Sequence, residues 1–325
     1  MKLSRSLAAV TLGLTILLAL TTVGRAADFP TKPVNLIVAY AAGGSGDVVV
    51  RAMLDKFSEK LGGPAVLVNK PGSGGLVGGE YVARAKPDGY TVLVLSLSHI
   101  LRQAIDPKMP FNVLTDFEPV CFYVIQPLLI LVKGDSKFRT VEDLIDFAKK
   151  NPGKLTMGNS GTGATSHFSG ELFKATTKTS FKMVPFEGEA KTNTALLGGH
   201  VDFAVMGYPI AMGNLASGDL RALATFEDER LPGLKDVPTL KERGLPEAIM
   251  YSWYGFVAPA GTPKEITEKL DLSMRVGIKD PSAQEILRKA GFREAYKDRE
   301  ELRKFMKYEL DRFTKVAKTQ GITVE

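Results

Sequence analysis

The stretch AYAAGGSGDVVV, residues 39–50, follows a short aliphatic run and opens a longer amphipathic one. That is the order strand, glycine turn, helix. A second stretch of the same build, MGNSGTGATSHFSGELF, occupies residues 157–173. Glycines such as Gly43, Gly44, Gly161 and Gly163 let the backbone take positive φ and approach a ligand closely. Successive N–H groups in such a turn, backed by the positive end of the next helix, make a concave anion site. Ser45, Ser160, Thr162, Thr165 and Ser166 add hydroxyl donors, so the two turns together suit a carboxylate held without any cationic side chain. One such turn is equally well a tight connection and nothing more. Two of them, one in each half of the chain, favour binding because they can face each other across a cleft. Asp47 complicates the first turn: as a helix cap it takes part of the dipole otherwise offered to a ligand.

Outward from these turns the same rhythm continues. Apolar runs at 34–39, 65–68, 91–95, 128–132, 155–157, 203–206 and 220–224 are the strand candidates, and several alternate little, as strands covered on both faces do. Thr140 precedes VEDLIDFAKK with Asp143 three residues on, and Thr262 precedes Pro263, a favoured first-turn residue. After Asp298, the residues Leu302, Phe305, Met306, Leu310 and Phe313 recur at helical spacing, a packing face rather than a cofactor site. Strand-helix units up to about residue 123 form one set and those from 128 to 224 a second, while YSWYGFVAPAGTP, 251–263, reads as a return to the first. The expected organisation is therefore two α/β lobes, 27–127 and 128–248, with 249–325 completing the first. A cleft at their paired crossovers is the natural pocket.

Ahead of the first lobe, Lys2 and Arg5 precede an apolar run at 7–20 and the small residues Gly24 and Ala26. This is the pattern of a secretory signal cleaved after Ala26, and its apolar run is shorter than the roughly 20 residues of a bilayer span. The expected location is outside the cytoplasm. Removing 1–26 takes Lys2, Arg5 and Arg25 and no acid, lowering the formal charge from +6 to +3. So mild and scattered a balance gives no support to nucleic-acid binding. Cys121 is the only cysteine, which excludes an internal disulfide, and within PVCFYVIQPLLILV it reads as a packed thiol.

Catalytic and cofactor motifs fit poorly. There is no G-x-x-x-x-G-K-[ST], and Gly44, Gly46 and Val49 fill the dinucleotide pattern only up to its last glycine. The segments 43–47 and 158–162 both lack the final glycine of G-x-S-x-G, so a serine hydrolase using Ser45 or Ser160 is an unsupported alternative. His99, His167 and His200 are the only histidines, and their spacing offers no metal site. His167 either orients the second turn or contacts ligand, and His200 reads as a turn residue before a strand. Trp253 reads as packing. No cofactor is expected.

The segments FPTKPVNLIVAYAAGGSGDVVVR, VLVNKPGSGGLVGGEYVARAKPDGYTVLV, LTMGNSGTGATSHFSGELF and TALLGGHVDFAV followed by LASGDLRALA resemble the substrate-binding proteins of tripartite tricarboxylate transporters, the Bug-type periplasmic receptors. The likeness spans nearly the whole chain after residue 26. It implies a type II, Venus-flytrap periplasmic-binding-protein fold, a small organic carboxylate held by loop amides and water, and partnership with a membrane transporter. Carried over by position, Tyr40, Ala41, Ala42, Gly43, Gly44 and Ser45 supply the first lobe's contact. Ser96 and Ser98 line the same lobe, and Ser160, Gly161, Thr162, Gly163, Ala164, Thr165 and Ser166 hold a carboxylate from the second. Gly207 and Tyr208 stand near the variable end of the ligand. One departure is notable: where the family often has an aromatic residue, Lys and glycines after the strand reading KMVP, this chain has Phe186, Glu187, Gly188 and Glu189. If those acids point inward they disfavour a long polyanion, and Tyr40, Phe186 and Tyr208 tilt the ligand toward an aromatic or apolar body. A monomeric receptor is expected, with a ligand-sensing partner of a membrane receptor as the alternative.

Overall fold

The computed structural model describes residues 29–323, so the expected signal segment lies outside the described residues. Two sheets organise the chain. Strands β1 (Val34–Val38), β2 (Ala65–Asn69) and β3 (Thr91–Ser96) are parallel and joined through helices α1 (Ser45–Leu61) and α2 (Leu76–Ala83), and α3 (Leu97–Ile105) leads out of β3. β1 and β3 are almost wholly buried and largely aliphatic, as strands covered on both faces are, whereas β2 at the sheet edge is partly exposed. The chain then runs antiparallel: β4 (Phe117–Gln126), β10 (Ser252–Pro259) and β11 (Arg293–Lys297) complete a six-stranded sheet in the order β11-β4-β10-β3-β1-β2. The second sheet is five-stranded, ordered β7-β6-β8-β5-β9. It contains β5 (Leu128–Lys133), β6 (Thr156–Asn159), β7 (Lys182–Pro185), β8 (Phe203–Gly207) and β9 (Leu220–Thr225). Helices α4 (Val141–Lys150), α5 (Thr165–Thr177), α6 (Glu189–Leu197) and α7 (Tyr208–Ser217) accompany it.

The chain changes sheet twice. Between β4 and β5 only Pro127 intervenes, and a proline there ends one ladder because it has no N–H to donate. The return runs from β9 to β10. Both crossovers sit beside the cleft.

Helices α8 (Lys264–Lys279), α9 (Pro281–Lys289) and α10 (Arg299–Gln320) close the first lobe. Val49, Val50, Met53, Phe57 and Leu61 repeat at helical spacing along α1 and meet Leu270, Met274 and Ile278 of α8 in one core. The stripe foreseen in α10 packs on β4 and α3, with Leu302, Met306 and Phe313 fully buried and Phe305 and Leu310 partly so. Trp253 lies between Phe122 and Phe305, with ring centroids 5.5 and 5.4 Å away. Cys121 is buried 3.8 Å from Met274 Sδ, and burial pushes its thiol well above the ordinary range.

Helix starts follow local chemistry with one shift. Thr140 and Asp143 form a reciprocal capping box on α4, and Asp298 with Glu301 does the same on α10. Pro263 is the N-cap of α8 rather than its first-turn residue, since its ψ of 141° is extended. His200 lies in the turn before β8, as its sequence setting implied.

Candidate functional site

In α/β sheets a ligand site forms outside the carboxyl ends of the strands, where loops and helix starts collect. Here the carboxyl ends of β1, β3 and β4 supply Tyr40, Ser98 and Gln126 to one cavity, and the turn after β6 with the starts of α5 and α6 supplies Ser160, Thr165, Ser166 and Glu189. The space inside is about 30 Å³, roughly the share of one liquid water molecule. A second cavity of about 400 Å³ shares Tyr40 and Ser160 and continues between the turn at Gly72, Ser73 and Gly74 and residues Phe186 to Gly188.

The two lobes meet through polar contacts around this space. Ser98 Oγ lies 2.9 Å from Thr165 Oγ1 and accepts the Thr165 N–H at 3.1 Å. Arg102 on α3 donates to the Thr162 carbonyl at 2.9 Å while its charge is paired with Asp106 at 2.8 Å. Gly74 approaches the second turn so closely that any side-chain carbon would overlap the Thr162 carbonyl, and its φ of 66° also calls for glycine. Tyr40 donates its hydroxyl to the Gly74 carbonyl at 2.9 Å, and burial pushes its ionisation up to about 12, so it remains a donor.

Glu189 is the one charged side chain lining the inner cavity among the described residues. Its Oε1 accepts the Gly207 N–H at 2.7 Å and Gln126 Nε2 at 3.0 Å. Its Oε2 accepts the Ser45 hydroxyl at 2.6 Å and Gln126 Nε2 at 3.3 Å. Gln126 also donates to Ser45 Oγ at 2.8 Å, closing a triangle. Gly207 has an ordinary extended φ, yet a side-chain carbon there would overlap Gln126 Nε2, so space rather than torsion demands glycine. Glu187 behaves differently. It is exposed and paired with Lys191 at 2.6 Å, which lowers its ionisation.

Residues 49–322 match the family described as the tripartite tricarboxylate transporter family receptor. The chain belongs to that receptor family. Its fold is similar to the periplasmic binding protein BugD, with 31% identity, a TM-score of 0.87 and coverage of 91% of this chain and 99% of that one. An R. palustris protein solved with adipate is 32% identical with a TM-score of 0.86, over 91% of this chain and 99% of its own. MatC of Rhodopseudomonas palustris, with bound malate, is 28% identical with a TM-score of 0.85, over 89% and 99%.

Against this family frame the expected contacts divide into groups. Tyr40, Ala41, Gly44, Ser45, Ser98, Ser160, Thr165 and Ser166 share the inner cavity, and Gly161 and Thr162 line the adjoining one. Ala42, Gly43, Gly163 and Ala164 shape the turns without lining either cavity. Ser96 is the N-cap of α3, engaged with His99, and Gly207 acts through its N–H on Glu189. His167 borders a different cavity, with Glu171, Lys174 and Lys182. The Tyr208 ring lies against Gly233 and Gly291 and lines neither of the two cavities. Asp47 is not the helix cap read from sequence. Gly44 is the N-cap, and the Asp47 carboxylate turns back to accept the Gly43 N–H at 3.0 Å and Asn69 Nδ2 at 2.8 Å. In this receptor Gln126, Ser252 and Tyr254 also line the cavity and were not foreseen. For Gln126 a signal existed: it is the lone amide in PVCFYVIQPLLILV, immediately before the proline where the chain changes sheet.

Proposed function

We propose that the chain is an exported periplasmic receptor, monomeric, that captures a small organic carboxylate between its lobes and passes it to the membrane components of a tripartite tricarboxylate-type transporter. The observation that carries this reading is the convergence of hydroxyls from both lobes, Ser98 from one and Ser160, Thr165 and Ser166 from the other, on a single cavity. The start of α5 adds N–H groups and the positive end of its dipole, a setting that favours an anion. Relatives that hold adipate and malate support the ligand class.

The inner space alone holds about one water, and the adjoining cavity of about 400 Å³, which shares Tyr40 and Ser160 with it, gives an acid of several carbons room once it has entered with the lobes apart. Rotation about the crossover at Pro127 and the β9 to β10 return then closes them. Closure removes water and strengthens each hydrogen bond, and ligand shifts the population because the closed form alone joins the donors of both lobes. Binding rather than catalysis fits the serines: Ser45 donates to a carboxylate, and Ser160 Oγ lies 2.8 Å from Ser166 Oγ.

Titration calorimetry of the mature protein against mono-, di- and aromatic carboxylates, run with X-ray scattering, tests the reading. Binding accompanied by a smaller radius of gyration is expected. Binding at constant radius contradicts closure, and heat from no acid in the panel contradicts the ligand class.

A further inference from the structure

We infer that Glu189 sets the specificity of the cleft. Its carboxylate takes the Ser45 hydroxyl and the Gln126 amide of the first lobe, so the receptor takes a monocarboxylate whose far end bears an ammonium group and turns away dicarboxylates. This deepens the carboxylate reading and rests on it.

The first glycine turn and the start of α1 form one of two anion sites, and Ser45 is its hydroxyl. In the closed cleft that hydroxyl and the Gln126 amide are both given to Glu189, at 2.6 and 3.0 Å. The third donor, the Gly207 N–H at 2.7 Å, belongs to the same lobe as Glu189. The carboxylate is therefore anchored on the second lobe before the first lobe arrives, and its position as the first residue of α6 fixes its backbone. Ser45 and Gln126 then dock onto a resident charge.

A ligand with two carboxylates needs two anion sites. The one with no acid of the protein beside it is formed by Ser98 with the second turn. At the other end the second carboxylate meets the like charge of Glu189, to which Ser45 and Gln126 already donate, with no cation lining the inner cavity among the described residues. Arg102, beside the adjoining cavity, is taken up by Asp106 and the Thr162 carbonyl. Two like charges about 5 Å apart at an effective dielectric near 20 cost on the order of a hundredfold in affinity, and an ammonium at the same place reverses the sign. Glu187 does not share this role, since it is exposed and paired with Lys191.

Length-matched acids separate the possibilities. Alkanoates, ω-amino alkanoates and α,ω-dicarboxylates of roughly three to six carbons, a span chosen to bracket the reach between two hydrogen-bonded ends, are titrated into wild-type protein and Glu189→Gln. Glutamine keeps an acceptor oxygen for the Gly207 N–H, and circular dichroism checks its fold. The expected wild-type order is amino acid, alkanoate, dicarboxylate, with at least tenfold between first and last. In Glu189→Gln the dicarboxylate gains at least tenfold and the amino acid loses a similar factor. A wild-type protein that binds dicarboxylate as tightly as the amino acid overturns the inference and leaves the carboxylate reading standing. Equal gains for all three classes in the variant also overturn it, because Glu189 is then a displaceable competitor. Silence from every acid in wild type removes the carboxylate reading and the inference together. The wild-type order decides the matter even if the variant does not fold.

Discussion

The turns at residues 40–47 and 159–166 share glycines, hydroxyls and a following helix, but their hydrogen bonds end on different partners. In the first, the Gly43 N–H goes to Asp47 and the Ser45 hydroxyl to Glu189, so both meet acids of the protein itself. In the second, Gly161 N–H goes to the Asn159 amide oxygen, Ser160 pairs with Ser166, and Thr165 N–H goes to Ser98. All of those partners are neutral. A glycine turn thus concentrates N–H groups and hydroxyls without deciding who uses them. The acids that decide it lie four residues away in one case and 144 in the other.

Several changes break or sharpen this contrast. The largest effect belongs to Gly207→Ala, whose methyl group displaces the Gln126 amide and strips bonds from a half-buried carboxylate. Chemical denaturation should show a loss of about 4 kcal/mol, with the second turn's Ser98 contacts untouched.

Acid probes the neutral side. His99, one residue from Ser98, is buried, and burial lowers its ionisation from 6.5 to about 4. Between those values the unfolded chain binds a proton that the folded chain refuses. Stability from this group is therefore full above pH 6.5 and lost as pH falls through 4, by about 3 kcal/mol in the limit. Urea titrations at several pH values should show that much more acid sensitivity in wild type than in His99→Asn.

Ser98→Ala leaves the buried Thr165 N–H without its acceptor and should cost about 2 kcal/mol, with a ten- to hundredfold loss of ligand affinity by calorimetry. Ser45→Ala removes one of several bonds to Glu189 and should change affinity about threefold at most, since Gly207 and Gln126 still hold the carboxylate. Equal losses in the two variants would erase the contrast. Smallest of all, Glu187→Gln should leave melting temperature and affinity unchanged, because that side chain is solvated.

Strands β1, β2, β3, β5, β6, β8 and β9 were legible from sequence because they are short, largely aliphatic runs between turn residues. The later strands of the six-stranded sheet were harder. β11 carries Arg293, Glu294 and Lys297 on an edge, where no apolar pattern is required, and β4 merges with β5 into one apolar run broken by Pro127 alone. In the cleft, both glycine turns announced themselves by local composition. The Glu189 cluster did not, because its members, Ser45, Gln126, Glu189 and Gly207, come from four separate elements and meet only when the lobes are assembled. Asp47 was misread for a related reason. A carboxylate at the third helical position serves the preceding loop as readily as the helix end, and only the fold chooses.

The most direct test is a crystal structure of the mature protein with the acid that calorimetry selects. The ligand carboxylate should lie on the hydroxyls of Ser98, Thr165, Ser160 and Ser166, with Glu189 still bound to Ser45, Gln126 and Gly207. A ligand carboxylate seated on Ser45 and Gln126, with Glu189 swung away, would contradict the account.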